Sequence, residues 1–208
     1  LKSDLIRKRR AQAISSLRVI SGVNLKKRVI RGQYTGYKDE EEVKPNSKTE
    51  TYFKIEAYLK NKRWRNVPFY LESGKGLDES KAEILVYFND ITPCFCLSAE
   101  EGHSHQNILT FKIQPSEGIN VVFWAKKPGL MTHIEPRNLS FIYRKNVSTH
   151  LSGYEKLLYD AIIGDQTLFS STQEVLAAWK FITPIVQNWK KLSLHLYKKG
   201  SKGPMLEL

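Results

Sequence analysis

The 208-residue sequence has little of what builds disulfide-bonded, membrane-spanning or repeat proteins. Two cysteines, Cys94 and Cys96, supply no disulfide framework, and their alternate spacing suits one face of a strand. No stretch of about 18 apolar residues occurs, which excludes a membrane-spanning helix. No charged-then-apolar leader opens the chain, so a cytoplasmic setting is the default expectation. No internal repeat is visible. No G-x-G-x-x-G fingerprint follows a strand, so the chain has no dinucleotide-binding signature of its own. The first residue is Leu1 rather than Met, which is expected of a fragment or a processed piece.

What is present is the composition of a globular domain, 41% hydrophobic and 26% charged, with a formal charge of +12. The excess of cations sits at the two ends. Residues 1–48 hold thirteen Lys and Arg against five Asp and Glu, and residues 190–208 hold five against one. The intervening body is balanced. Basic ends can meet nucleic acid, an anionic ligand or an acidic partner, or form a solvated surface. No nucleic-acid reading motif accompanies them, and neither nucleic acid nor membrane is expected as a partner.

Periodicity divides the chain into helical ends and a strand-rich middle. Leu5, Ile6, Ala13, Ile14 and Leu17 recur at helical spacing and predict an amphipathic helix over 3–20, with Ser3 as N-cap and Lys8, Arg9, Arg10 and Arg18 on its outer surface. Alternation around Phe53, Ile55, Ala57 and Leu59 predicts a half-buried strand. Phe69–Leu71, Ile84–Phe88, Ile108–Ile113, Val121–Ala125 and Leu139–Arg144 read likewise, and their short connections predict antiparallel pairing. Ser152-x-x-Glu155 and Ser171-x-x-Glu174 are capping boxes that open two helices. The first carries an apolar face of Tyr154, Leu157, Leu158, Ala161 and Ile162 and ends at Gly164. The second runs through Val175, Ala178, Trp179 and Ile182, where Pro184 is expected to kink or interrupt it. This order predicts the α+β class: one large, mostly antiparallel sheet with helices packed on one face.

Three patterns carry possible chemistry. Gly74-Lys75-Gly76 is a tight glycine turn at a strand end, presenting a lysine that can meet an anion as a point charge or simply face solvent. A phosphate loop of the Walker type is ruled out, because Phe69 and Leu77 stand where that pattern needs Gly and Ser or Thr. Cys94-x-Cys96 with His103-x-His105 has soft ligands at unusual spacing and reads as a surface loop rather than a zinc site. His133, His150 and His195 lie apart from any nucleophile or paired carboxylate, so no catalytic group is expected here. Trp64, Trp124, Trp179 and Trp189 fall in apolar periods and are expected in the core.

Several strings in order resemble the glucose-6-phosphate dehydrogenase family. They are Arg31-Gly32-Gln33-Tyr34; Arg63-Trp64, then Val67-Pro68-Phe69 through Gly74-Lys75-Gly76-Leu77; Lys112-Ile113-Gln114-Pro115; Lys126-Lys127-Pro128-Gly129; Tyr154-Glu155-Lys156-Leu157-Leu158; Gly164-Asp165-Gln166-Thr167-Leu168-Phe169; and Gly203-Pro204. The likeness covers residues 28–204, with 1–27 a loosely matching helix and linker, so residues 1–208 read as a single domain resembling the family's C-terminal domain.

The resemblance implies oxidation of glucose 6-phosphate at C1 to the lactone, with hydride passing to NADP, as in the pentose phosphate pathway. It implies Lys75 as a substrate-binding cation, with Lys81 and Gln114 as further candidates. It implies that NADP is bound mainly by a separate N-terminal nucleotide-binding domain that also carries the catalytic histidine, so these residues alone are expected to be inactive. A homodimer or higher oligomer through the sheet is implied as well. The sequence departs from the family at Ser80, where a cation is usual, and at Glu72 and Leu85, where arginines are usual. These departures disfavour a second, structural NADP and motivate an alternative: a catalytically inactive module for interaction or oligomerisation.

Overall fold

The computed structural model describes residues 2–90, 105–130, 133–143 and 153–206. The chain divides into two compact units: Leu1–Asp78 with Leu151–Leu208, and Glu79–His150. The α+β class stands, with eight strands among the described residues distributed over two four-stranded sheets where a single large one was expected.

The first unit contains α1 (Ser3–Ser15), α2 (Val23–Arg28), β1 (Val29–Tyr34), β2 (Tyr52–Ala57), β3 (Phe69–Gly74), α3 (Gly153–Ile163), α4 (Thr172–Gln187) and β8 (Leu194–Tyr197). Its sheet runs in the order β3-β2-β1-β8. Antiparallel pairs join β3, β2 and β1, while β1 and β8 run parallel. Every residue of β1 is buried. On one face Val29 and Ile55 join Leu25 of α2 with Phe181 and Ile185 of α4. On the other, Ile30 and Tyr34 join Tyr52 and Tyr197. Burial on both faces removes the polar-apolar alternation by which strands are recognised, which is why β1 has no period-two signal. Four-residue β8 is too short to show one.

The first helix ends at Ser15, not at residue 20, and Ser3 lies inside it behind an N-cap Lys2 that makes no side-chain cap bond. Leu17 pairs with Leu59, and the Arg18 amide donates to the Tyr58 carbonyl at 2.9 Å, so the chain leaves the helix to join an extended segment. Arg10 is not an outward cation: its guanidinium pairs with Glu174 of α4 at 2.7 Å and donates to the Phe169 carbonyl at 2.9 Å. In α4, Ser171 and Glu174 form both bonds of the expected capping box. Pro184 does not end that helix, which continues to Gln187, and the Asn188 side chain caps the freed end by donating to the Pro184 carbonyl.

Gly164 closes α3 with φ of 74°, the left-handed conformation that a glycine C-cap takes. The apolar residues of α3 stay at the surface, with Ile162 84% exposed, whereas Asp160 is buried beside Lys156. Ser152, half of the other expected capping box, lies outside the described residues, as do Arg144, Cys94, Cys96, His103 and His150. The tryptophans divide. Trp189 packs against the core, Trp124 is half-buried with its ring perpendicular to that of His105 at a centroid distance of 4.3 Å, and Trp64 and Trp179 are exposed.

The second unit is an antiparallel meander, β4 (Ala82–Tyr87), β5 (Ile108–Gln114), β6 (Gly118–Lys126) and β7 (Ile134–Ile142), with sheet order following chain order. Register places Ile84, Phe111, Ile119 and Phe141 side by side across all four strands. Residues directly opposite one another share a face, and on this row Ile84, Phe111 and Phe141 are exposed.

Candidate functional site

Lys75 follows β3 directly, in a turn between two glycines. Gly74 is required there because a Cβ would stand 2.8 Å from the Tyr52 ring, and Gly76 because its φ is 61°. Both main-chain polar groups of Lys75 are bound. Its amide donates to the Thr51 carbonyl at 2.8 Å, and its carbonyl accepts from the Tyr197 hydroxyl at 2.6 Å. The next residues are tied to the segment after β8: the Gly200 amide donates to the Gly76 carbonyl, and the Asp78 amide to the Ser201 carbonyl. The turn is therefore sewn down on both sides while the Lys75 residue is exposed. Among the described residues, no ion pair or hydrogen bond claims its ammonium.

The acidic neighbour that the sequence flagged is partly compensated. Glu72 accepts from the Tyr52 hydroxyl at 2.9 Å and lies 4.0 Å from the Lys54 ammonium, its directly opposite partner on β2. Burial, and then the bond to Glu72, raise the Tyr52 phenol pKa, so it remains a donor. Nearby, Lys199 pairs with Glu40 at 2.9 Å, which holds that carboxyl below its usual range.

Lys81 and Gln114 belong to the second unit and are considered there. Lys81 lies between two carboxylates, 2.9 Å from Glu79 and 3.0 Å from Glu83. Hydrogen bonds to Glu79 and then Glu83 raise its pKa, so it stays charged but already neutralised. Gln114 ends β5, exposed, opposite Ala82. Ser80, where the resemblance led a cation to be expected, is exposed. The sequence reading missed Tyr197 and Thr51, which hold the lysine turn. Neither lies in a motif with it, and only tertiary contact reveals them.

A dinucleotide does not fit the glycine turn. Pyrophosphate is held where a glycine-rich turn opens a helix, whose first amides point at the anion. Here the turn runs into an extended segment in which Leu77 bridges Ser201.

The family model described as "Glucose-6-phosphate dehydrogenase, C-terminal domain" matches residues 1–207. This chain belongs to the glucose-6-phosphate dehydrogenase family. The glucose-6-phosphate 1-dehydrogenase of Borreliella burgdorferi is 37% identical over 213 residues, which cover 97% of this chain and 44% of that protein. That of Bacillus subtilis is 35% identical, covering 98% and 44%. Among solved structures, the glucose-6-phosphate 1-dehydrogenase of Mycobacterium avium superposes with a TM-score of 0.81 at 25% identity, over 98% of this chain and 42% of that one. A glucose-6-phosphate dehydrogenase in complex with its substrate glucose-6-phosphate superposes with a TM-score of 0.83 at 26% identity, over 99% and 43%. The chain thus spans less than half the length of these glucose-6-phosphate dehydrogenase relatives.

Proposed function

We propose that this chain supplies the sugar-phosphate-binding edge of a dehydrogenase that oxidises glucose 6-phosphate to 6-phosphoglucono-1,5-lactone, with NADP as hydride acceptor. The observation that carries the reading is the Lys75 turn: an exposed, unclaimed ammonium on a backbone fixed at both its amide and its carbonyl. A rigidly based cation loses little freedom on meeting a phosphate dianion, and such charge-assisted contacts are among the stronger ones. NADP binding and hydride transfer belong, in this reading, to an N-terminal nucleotide-binding domain corresponding to the remaining length of the relatives. Residues 1–208 act as one substrate-side domain in the cytoplasm, inactive without that partner. Of the two further candidates, Gln114 is open to ligand, and Lys81 contributes little because its charge is already answered.

The exposed apolar row of the second sheet supports self-association through that face, as a homodimer or higher oligomer. The same row suits a catalytically inactive oligomerisation module, and binding of the sugar phosphate separates the two readings. Isothermal titration of the chain, mixed with its nucleotide-binding partner domain, should give a saturable glucose 6-phosphate signal. Lys75→Ala should weaken it by about tenfold or more, equivalent to at least about 1.4 kcal/mol. Equal affinity in the variant removes Lys75 from the site. An absent signal in the parent protein favours the inactive module.

A further inference from the structure

We propose that the Tyr197 hydroxyl is a positioning group for Lys75, the end of a directional hydrogen-bond relay that sets how the lysine is offered to phosphate; this rests on the substrate reading of Lys75 given above. The direction follows from valence. Thr51 Oγ1 accepts from the Tyr34 amide at 3.0 Å, which leaves its own proton for the Tyr197 oxygen at 2.9 Å. Tyr197 has one proton, and it goes to the Lys75 carbonyl at 2.6 Å, a much shorter approach than the 3.2 Å to the Thr51 carbonyl. Burial raises the Tyr197 phenol pKa, which keeps that proton in place.

The relay is buried where it starts and exposed where it ends. Tyr197 and Thr51 are 4% and 8% exposed, while Lys75 faces solvent. The Tyr197 ring is itself held edge-on by Tyr34 and tilted against Tyr52, at centroid distances of 6.2 and 5.7 Å. It stands on β8, parallel to and in register with Tyr34 of β1. The phenol thus transmits the geometry of the two-faced core strand to a turn 122 residues away in sequence. Removing the hydroxyl alone leaves the ring packing intact and a carbonyl without its donor, so the turn loses its fixed base but the core does not lose its filling.

The test uses the 208-residue chain with its lysines reductively ¹³C-methylated, mixed with its unlabelled nucleotide-binding partner domain, the Lys75 resonance being assigned by its absence in Lys75→Arg. Glucose 6-phosphate is titrated against that resonance, and amide hydrogen exchange is followed at Lys75 and Gly76. In Tyr197→Phe the exchange should quicken at least tenfold and the apparent affinity should fall at least fivefold, with exchange in β2 unchanged. Thr51→Val, which breaks the relay one step earlier, should reproduce both effects. Tyr34→Phe removes a hydroxyl from the same aromatic cluster, one bonded to Glu40 rather than to the relay, and should leave both readouts within twofold. The proposal is overturned if Tyr197→Phe changes neither readout, or if Tyr34→Phe changes both as much. If the parent resonance ignores glucose 6-phosphate, the substrate reading and the phosphate role fall together. Faster exchange confined to Tyr197→Phe and Thr51→Val would then establish only the structural relay.

Discussion

β1 and β7 are both strands of four-stranded sheets, yet all six residues of β1 are buried and the last seven of the nine in β7 are exposed. At β1 and β2 the first sheet is packed on both faces, by α2 and α4 on one side and a tyrosine cluster on the other, while Tyr70–Ser73 of β3 are exposed. In the second sheet only Thr110 and Gly118 are buried among the described strand residues. Apolar burial contributes roughly 25 cal/mol per Å². Intramolecular burial is therefore concentrated in the first region, and the second exposes an apolar row among its described residues.

The largest expected effect breaks the two regions apart. Ile185 is fully buried between helix and sheet, so Ile185→Ala should cost about 2–5 kcal/mol at any protein concentration. Phe141→Lys, on the exposed row of the second sheet, should leave the monomer's unfolding free energy within about 0.5 kcal/mol. If self-association uses that row as proposed, the same change should abolish oligomeric mass in light scattering, because a lysine placed there is an uncompensated charge. Urea titration supplies the first two numbers. A Phe141 variant as destabilised as the Ile185 one would mean that the second sheet has an internal core, and the contrast would fail.

The same contrast explains what the sequence made readable. β2 was legible because Phe53, Ile55 and Ala57 alternate with Lys54 and Glu56 in sequence, although burial does not follow that alternation: Tyr52 and Glu56 are buried on one face as Ile55 and Ala57 are on the other. The capping box of α4 is local chemistry and Gly164 marks a local C-cap, and both were legible as well. β1 was not, since double burial erases its period. The end of α1 was not, because Leu17 leaves the helix to meet Leu59, a long-range pairing that no local propensity encodes. The apolar face of α3 suggested burial, but periodicity shows that a face exists and not that anything covers it. At the candidate site the glycine turn and Lys75 were readable, because tight turns announce themselves through glycine. Tyr197 was not, since its role depends on β8 lying parallel to β1.

A smaller effect sharpens the picture inside the well-packed region. Ser171→Ala removes the N-cap acceptor for the Glu174 amide and should cost about 1 kcal/mol, read as a lowered urea midpoint with unchanged slope. Glu174 has its own pH signature. The Ser171 amide bond foremost, and Arg10 as well, hold its carboxyl below the ordinary value of 4.5. A folded pKa below the unfolded one means that this contribution is whole above pH 4.5 and is lost as the pH falls through the folded value. Glu174→Gln should flatten that acid limb of the stability profile. An unchanged limb would place the acid sensitivity elsewhere.

The smallest effect is expected at Lys81, which the resemblance offered as a further candidate after Lys75. Ser80 lacks the charge that the resemblance led one to expect, and Lys81 is the adjacent cation that could have replaced it. The two carboxylates at 2.9 and 3.0 Å change what that cation can offer. To bind a phosphate, Lys81 must leave Glu79 and Glu83 or bring their negative charges toward the dianion, and either course cancels most of its attraction. Lys75 carries no such burden among the described residues. Lys81→Ala should therefore change glucose 6-phosphate affinity by about twofold or less, against about tenfold or more for Lys75→Ala, in the same titration at the same ionic strength. Comparable losses in the two variants would show that ligand binding frees Lys81 from its carboxylates. A Glu79→Gln, Glu83→Gln double variant gives the complementary reading: if the carboxylates hold Lys81 back, removing their charge should raise affinity, and Lys81→Ala on that background should then become costly.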